Sequence, residues 1–272
     1  MILDYSTYFE RQGHRGVVNY KQADSNIDLF TYESHCPFCK SVQLETVYRK
    51  SKCDYPEWLF GSFNEFETVL QCPQCGWWEY KYRNQSDAII DGIAASDIRI
   101  ITAELRKYDE TRDDIPISIL RQYIDKNPDR IYSIHDKGME RLVQSVFSDF
   151  YNCDVELVGK SHDGGKDLIM LDNGTKTFIQ VKRRMSSKKV ESVIAIRELI
   201  GAAVLGGVNS CMFVSTADHF STEAEKAAKC ATTNCNFDKF ELIDGNCFLN
   251  MLHLVRKECP ELWRTLLTLD RE

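Results

Sequence analysis

The sequence lacks a long apolar run. The segment from Met1 to Glu10 has no apolar signal region. No stretch approaches the roughly 18 to 20 consecutive apolar residues that cross a bilayer as a helix. We therefore expect a cytoplasmic protein with no membrane partner.

The sequence also lacks an excess of positive charge. It contains 34 Lys and Arg residues against 41 Asp and Glu residues, which gives a formal net charge of -7. The chain as a whole repels polyanions, so nucleic-acid binding would have to rely on a local basic patch or on bound cations. Net charge therefore neither supports nor excludes a DNA partner.

Length and composition indicate a folded chain with more than one core. At 272 residues the chain exceeds the usual size of a single core, so two compact units and a connector are expected. Eleven cysteines do not indicate a disulfide framework, because the count is odd and no secretion signal precedes them. Reduced thiols that hold a metal ion are predicted instead.

Two C-x-x-C knuckles, Cys36-Pro37-Phe38-Cys39 and Cys72-Pro73-Gln74-Cys75, are the clearest metal-binding signal. Four thiolates in this arrangement make a closed tetrahedral Zn²⁺ site, and the aromatic residues after the second knuckle are typical of a strand in a zinc ribbon. Cys53 lies between the knuckles, so it is an alternative for one ligand. The predicted zinc ligands are Cys36, Cys39, Cys72 and Cys75.

A thiol oxidoreductase is the competing interpretation of Cys36-Pro37-Phe38-Cys39, which resembles a glutaredoxin-like motif. Such a motif should follow a strand and open a helix within a βαβ unit. Here a turn-rich segment and a second knuckle surround it, which favours structural zinc.

Between the knuckles and the C-terminal half, apolar residues at helical spacing predict a helical connector over residues 83–130. From Lys137 to Phe150, apolar residues form one stripe of a further helix. Three strands follow, and a tight turn at Asp172-Asn173-Gly174 joins the second to the third. Helices then alternate with two more strands. This order predicts an α/β fold with a mixed sheet flanked by helices.

Asp167, Gln180 and Lys182 are the strongest catalytic candidates. Strand alternation places Gln180 and Lys182 on one face, and antiparallel pairing through the tight turn brings Asp167 beside them. A carboxylate and an amide oxygen suit Mg²⁺, which activates water and polarises a phosphoryl oxygen, and Lys182 would position that water or stabilise negative charge. Glu140, at the border of the apolar stripe, is a fourth candidate.

These residues resemble the Mrr-type restriction endonucleases, a branch of the PD-(D/E)xK nuclease superfamily. The likeness covers roughly residues 116 to 257. It implies a restriction-endonuclease-like fold, a DNA substrate that often carries modified bases, Asp167 and Gln180 as Mg²⁺ ligands, Lys182 as the catalytic lysine and Glu140 as an accessory acid. The segments that carry it are Lys137–Val143, Asp163–Leu168, Gln180–Arg184, Arg197–Gly201, Phe213–Thr216 and Glu241–Gly245.

Gln180 departs from the wider superfamily, in which Glu or Asp is commoner at this position. A neutral amide gives the site one negative charge less, so metal affinity should be lower unless Glu140 contributes. Each motif alone also has an ordinary explanation, because Asp-Gly-Gly is a common turn and Gln-x-Lys often lies on a solvated strand face. His162 lies beside that turn and could contact a phosphate, but an isolated exposed histidine more often has no function than a functional role.

Basic residues follow the candidate site and are predicted to contact DNA phosphates, although charge runs are often only solvated loops. They are Lys166, Arg183, Arg184, Lys188 and Lys189.

The sequence therefore predicts a Mg²⁺-dependent DNA endonuclease of restriction and defence, with structural Zn²⁺ and with a homodimer or a partner defence subunit as possible assemblies. A DNA-binding or recruitment protein with the same fold but no cleavage is the alternative. The expected organisation is an N-terminal segment over 1–34, a zinc-ribbon-like module over 35–82, a helical linker over 83–130, a nuclease domain over 131–257 and a C-terminal helix over 258–272.

Overall fold

The structure is a computed structural model that describes residues 1–18, 21–25, 34–40, 42–55, 61–88, 94–158, 165–257 and 261–270. The chain forms two compact units. We call Met1–Ile2 with Tyr108–Lys257 the α/β unit, and Leu3–Lys107 with Glu258–Glu272 the sheet unit. No helix among the described ranges is long and apolar enough to cross a membrane.

A six-stranded sheet organises the sheet unit, in the order β2-β1-β6-β5-β4-β3. Neighbouring strands from β3 to β6 pair antiparallel, as do β1 and β2. A core of Trp77, Trp78, Tyr80, Ile101 and Trp263 lies against it. The strands are β1 (Ile2–Val18), β2 (Lys21–Ser25), β3 (Glu45–Asp54), β4 (Gly61–Gln71), β5 (Trp78–Ala88) and β6 (Ala94–Tyr108).

The C-terminal segment is held on this sheet by one buried carboxylate. Glu67 is 0% exposed and accepts hydrogen bonds from the Tyr80 hydroxyl at 2.8 Å, the Thr268 amide at 2.6 Å and the Leu269 amide at 3.2 Å. Because those two amides bind Glu67, they cannot continue a helix. A 3₁₀-helix over Leu262–Leu266 therefore stands where a longer helix is predicted.

The prediction of helix throughout 83–130 is wrong for most of its length. Residues up to Ala88 continue β5 and Ala94–Tyr108 forms β6. Among the described residues of this range, helix is confined to Ile117–Lys126 (α1) and to the start of a 3₁₀-helix at Pro128. Ile98 and Ile100 lie on one face of β6 and Ile101 on the other, and all three are buried. A β-branched run with both faces covered does not show strict alternation, so its spacing also fits a helix. Ile89 and Ile93 lie outside the described residues.

The α/β unit has a five-stranded sheet in the order β11-β10-β9-β8-β7. The first three strands along the chain pair antiparallel, and the last three pair parallel, so the sheet is mixed as predicted. The predicted fold class is confirmed. After α1 and a 3₁₀-helix over Pro128–Tyr132, the elements are α2 (Asp136–Tyr151), β7 (Asp154–Leu157), β8 (Leu168–Asp172), β9 (Thr175–Lys182), α3 (Val193–Leu205), β10 (Ser210–Ser215), α4 (Thr222–Asn234), β11 (Lys239–Ile243) and α5 (Gly245–Leu254).

The two faces of this sheet pack against different helices. Ile179 and Val181 belong to a core with α1, α2 and α5, whereas Phe178 and Phe213 belong to a core with α3 and α4. The predicted stripe of α2 is buried in the first of these cores. Its buried members are Met139, Leu142, Val143, Val146 and Phe147, whereas Phe150, the last residue of the predicted stripe, is 40% exposed.

Two local predictions have different outcomes. Asn173 and Gly174 adopt φ angles of 47° and 82°, the left-handed conformations that a tight hairpin turn needs between β8 and β9, so the predicted turn is confirmed. The spacing of Thr222 and Glu225 in the sequence predicts a capping box that begins at Thr222, but the cap lies one residue earlier. Ser221 caps α4 and its hydroxyl accepts a hydrogen bond from the Ala224 amide at 3.2 Å.

Candidate active site and cysteine cluster

Asp167 lies directly before β8 and next to the strand that carries Gln180 and Lys182. Leu168 pairs with Ile179, and the Asp167 amide also donates to the Ile179 carbonyl at 2.8 Å, which holds Asp167 against β9. Residues two apart on a strand share a face, so Gln180 and Lys182 point to the same side of the sheet. The face is the one that α3 and α4 cover, because it also carries Phe178.

Gln180 carries an unsatisfied buried oxygen. Its side chain is 3% exposed, and its Oε1 atom has no hydrogen-bond partner among the described residues. A buried acceptor without a partner costs stability, so such an atom is usually retained for a ligand, a water or an ion. The oxygen of Gln180 is therefore available to a ligand at this point of the sheet.

The turn before β8 brings the backbone close to this amide. Gly165 has a φ of 84°, which L side chains rarely adopt, and a Cβ atom at this position would lie 3.6 Å from Nε2 of Gln180. The carboxylate of Asp167 is fixed nearby, because its Oδ2 atom accepts a hydrogen bond from the Val181 amide at 2.7 Å. The neighbouring Asp163 and His162 lie outside the described residues.

Glu140 lies on α2, which packs against the opposite face of the sheet. One helical turn earlier, Asp136 accepts a hydrogen bond from Nε of Arg183, directly after β9. The first turn of α2 therefore lies beside the end of the strand that carries Lys182. The contribution of Glu140 to the site remains a prediction.

The predicted DNA-binding residues divide into two groups. The guanidinium of Arg183 donates to Asp136 and to the Tyr132 carbonyl, and that of Arg184 donates to both carboxylate oxygens of Glu191. In contrast, Lys188 and Lys189 are exposed, and the ammonium of Lys166 lies 5.0 Å from the ring centre of Phe178. DNA contact by any of the five remains a prediction.

The four knuckle cysteines converge on one point in the sheet unit. Their sulfur atoms all lie within 4.8 Å of one another, and those of Cys36 and Cys75 are 3.6 Å apart. The two knuckles have the same backbone geometry, because Lys40 and Gly76 have positive φ angles and their amides donate to the carbonyls of Cys36 and Cys72. Cys53 is exposed on β3 and is not among the four.

Tyr5 is a neighbour of this cluster that the sequence did not reveal. Burial raises the pKa of Tyr5 above its usual value, and the neighbouring Cys75 raises it further. The phenol therefore stays protonated and can donate to a thiolate. Residues 1–34 show no clear periodicity, so nothing in the sequence placed this residue beside Cys75.

Comparison with known proteins assigns the class of the α/β unit. Residues 131–252 match the Mrr_cat family, described as a restriction endonuclease. The predicted Mrr-type restriction endonuclease domain is thereby confirmed over those residues, which include the whole five-stranded sheet. No curated protein matches the chain.

Among solved structures, the chain is similar to one described as the structure of restriction endonuclease FokI. The two are 10% identical with a TM-score of 0.37, and the match covers 63% of this chain and 35% of that one. The chain thus spans about a third of the length of that enzyme, and the assignment of the α/β unit depends on the family match.

Proposed function

We propose that this protein is a metal-dependent DNA endonuclease of the restriction type that acts in the cytoplasm in defence against foreign DNA. The observation that carries the proposal is the unpaired, buried Oε1 of Gln180 on the strand whose next amide, that of Val181, binds the carboxylate of Asp167, within a domain that matches restriction endonucleases. Double-stranded DNA, modified or unmodified, is the proposed substrate.

The residues of the site fit a hard divalent cation. Asp167 offers a carboxylate oxygen, Gln180 offers an amide oxygen with no other partner among the described residues, and both are the oxygen ligands that Mg²⁺ prefers. Glu140 is the proposed source of further negative charge. When bound, Mg²⁺ supplies Lewis-acid polarisation of the scissile phosphate and lowers the pKa of an attacking water.

The remaining chemistry belongs to the protein. Lys182 follows Gln180 by two residues on the same face, so its ammonium is placed to orient the attacking water or to stabilise charge on the phosphorane. The Val181 amide holds the Asp167 carboxylate in one orientation through the 2.7 Å hydrogen bond. Lys166, Lys188 and Lys189 are the proposed contacts to the DNA backbone.

We further propose that the four cysteines hold one structural Zn²⁺ ion. A tetrahedral site with Zn–S bonds of about 2.3 Å needs sulfur separations of about 3.8 Å, and the observed cluster is close to this size. A thiol oxidoreductase needs one reactive pair of cysteines, whereas here the cysteines of both knuckles lie in one cluster. Retention of one zinc per chain after mild oxidation would support the structural role.

Cleavage assays test the proposal directly. Linear and supercoiled DNA, with and without modified bases, is incubated with the full chain and Mg²⁺. The variants Asp167→Asn and Lys182→Met should lose cleavage and retain DNA binding. Asp172→Asn is the matched control, because Asp172 is at the far end of β8 and should cleave as the wild type does.

A catalytically silent DNA-binding or recruitment protein is the second candidate. It is favoured by Gln180 itself, because the amide gives the site one negative charge fewer than the carboxylate that is commoner there. This candidate predicts DNA binding without Mg²⁺-dependent cleavage of any substrate tested. Gain of cleavage in Gln180→Glu would show that the DNA-binding protein differs from an active nuclease only by the missing negative charge.

A further inference from the structure

An ion pair between a partly exposed guanidinium and a completely buried carboxylate lies immediately beyond the strand that carries Lys182. Glu191 is 0% exposed, and its carboxylate accepts hydrogen bonds from Nε of Arg184 at 2.8 Å, from Nη2 of Arg184 and from the Ser215 hydroxyl at 2.9 Å. The pair raises the pKa of the Arg184 guanidinium, mainly through this hydrogen bond to Glu191. Both charges are therefore fixed within the protein.

This pair is connected to Lys182 by two short routes through β10. Ser215 is the register partner of Lys182 on the neighbouring strand, so the residue that binds Glu191 lies beside the lysine. Thr216 follows, and its amide donates to the Lys182 carbonyl at 3.1 Å. The Thr216 hydroxyl in turn accepts from the Arg184 amide at 2.7 Å.

The two residues after Lys182 are held on opposite sides of the sheet. Arg183 binds Asp136 at the start of α2, and Arg184 binds Glu191 just before α3. Moving Arg184 to a DNA phosphate would leave a completely buried carboxylate without its counter-charge, which is strongly unfavourable. The geometry thus disfavours a phosphate contact for Arg184.

We propose that Arg184 and Glu191 are a positioning pair that fixes the end of β9 and thereby the direction of Lys182. The inference depends on the proposed function of Lys182. It reassigns Arg184 from DNA binding to the support of the lysine, and it adds Glu191, which the sequence did not single out.

The test compares four variants of the full chain. Glu191→Gln and Arg184→Gln each remove one charge, and the combined variant leaves a neutral pair that can still form a hydrogen bond. Lys188→Gln is the matched control, because it removes an exposed charge from the same loop. The measurements are kcat and KM for Mg²⁺-dependent cleavage, and the salt dependence of DNA binding in an Asp167→Asn background.

A positioning pair predicts that each single variant lowers kcat on the order of 100-fold at unchanged KM, since small misplacements of a catalytic group have effects of this size. The double variant should lose no more than either single variant, because the two residues act as one unit. Lys188→Gln should instead raise KM at unchanged kcat and reduce the salt slope by about one.

Amide hydrogen exchange provides a readout that needs no activity. Residues 181–184 should exchange faster in Glu191→Gln and remain protected in Lys188→Gln. If Glu191→Gln fails to fold, the apolar pair Arg184→Met with Glu191→Leu replaces it, because a buried ion pair can be exchanged for apolar residues of similar volume without loss of folding.

Two results would overturn the proposal. In the first, Arg184→Gln behaves as Lys188→Gln does, with a higher KM, a smaller salt slope and an unchanged kcat. In the second, exchange at residues 181–184 is the same in all variants. If the wild type itself cleaves no DNA, the proposed function fails, whereas the exchange and binding measurements still decide whether the pair fixes this strand end.

Discussion

Replacement of Gln180 by methionine separates the stability of the site from its proposed metal binding. Methionine has a similar length and volume but needs no hydrogen bonds. The Gln180 side chain is 3% exposed and its oxygen is unpaired among the described residues. Since a buried unsatisfied acceptor costs about 1 to 3 kcal/mol, we expect Gln180→Met to raise the free energy of unfolding by up to that amount without Mg²⁺.

The assay is thermal unfolding with and without Mg²⁺, together with the cleavage rate. A domain of this size shifts its Tm by about 2 to 4 °C per kcal/mol. Wild-type protein should gain about 2.7 kcal/mol when Mg²⁺ is at 100 times its Kd, whereas Gln180→Met should gain less and lose cleavage. The stability advantage of the variant over the wild type should therefore shrink or reverse when Mg²⁺ is added.

Thr177→Val is the matched control on the same strand. Thr177 is 3% exposed, but its hydroxyl is hydrogen-bonded to that of Ser210 at 2.9 Å. Its loss should therefore cost about 1 kcal/mol and leave cleavage unchanged. If Gln180→Met is destabilised as Thr177→Val is, and keeps both its stabilisation by Mg²⁺ and its cleavage, the Gln180 oxygen is not a metal ligand.

Three further predictions concern the rest of the molecule. Cys72→Ser should lose bound zinc, measured by elemental analysis, and lower the Tm of the sheet unit, whereas Cys53→Ser should keep one zinc per chain. Glu67→Gln should destabilise the sheet unit by about 2 to 3 kcal/mol in denaturant titrations, because an amide cannot accept from every donor that surrounds the carboxylate; unchanged stability would contradict the anchoring role. Burial alone would raise the pKa of Asp149, but hydrogen bonds from Arg121 and Lys257 outweigh it and lower that pKa. Its stabilisation is therefore present above the unfolded-state pKa of about 3.9 and lost as the pH falls through the folded-state value, so Asp149→Asn should cost about 1 to 3 kcal/mol at pH 7 and nothing in strong acid.

The α/β unit was predictable because local signals and the global fold agree there. The stripe from Met139 to Phe147 has one buried face, and the turn at Asn173 and Gly174 fixes the register between β8 and β9. That register brings Asp167 next to β9, and strand alternation puts Gln180 and Lys182 on one face. The closeness of Asp167 to this strand therefore followed from the sequence.

The sheet unit was less predictable because its pattern is set by tertiary contacts. β6 is apolar on both faces, so the spacing of Ile98, Ile101 and Leu105 also fits a helix. β1 alternates without a clear apolar face. The Arg184 to Glu191 contact was also missed, because it depends on the parallel pairing of β9 with β10, and neither residue's neighbours in sequence indicate that pairing.

The path of the chain has a practical consequence for dissecting the protein. The chain passes from one unit to the other after Ile2, after Lys107 and after Lys257, so the restriction endonuclease domain is inserted between two segments of the sheet unit and does not simply follow it. A protease that cuts at one of these connections cannot release the domain. A clone that stops at Lys257 removes Trp263 and the Thr268 and Leu269 amides that bind Glu67, so a loss of function in such a clone reports damage to the zinc-bearing fold as much as absence of the tail.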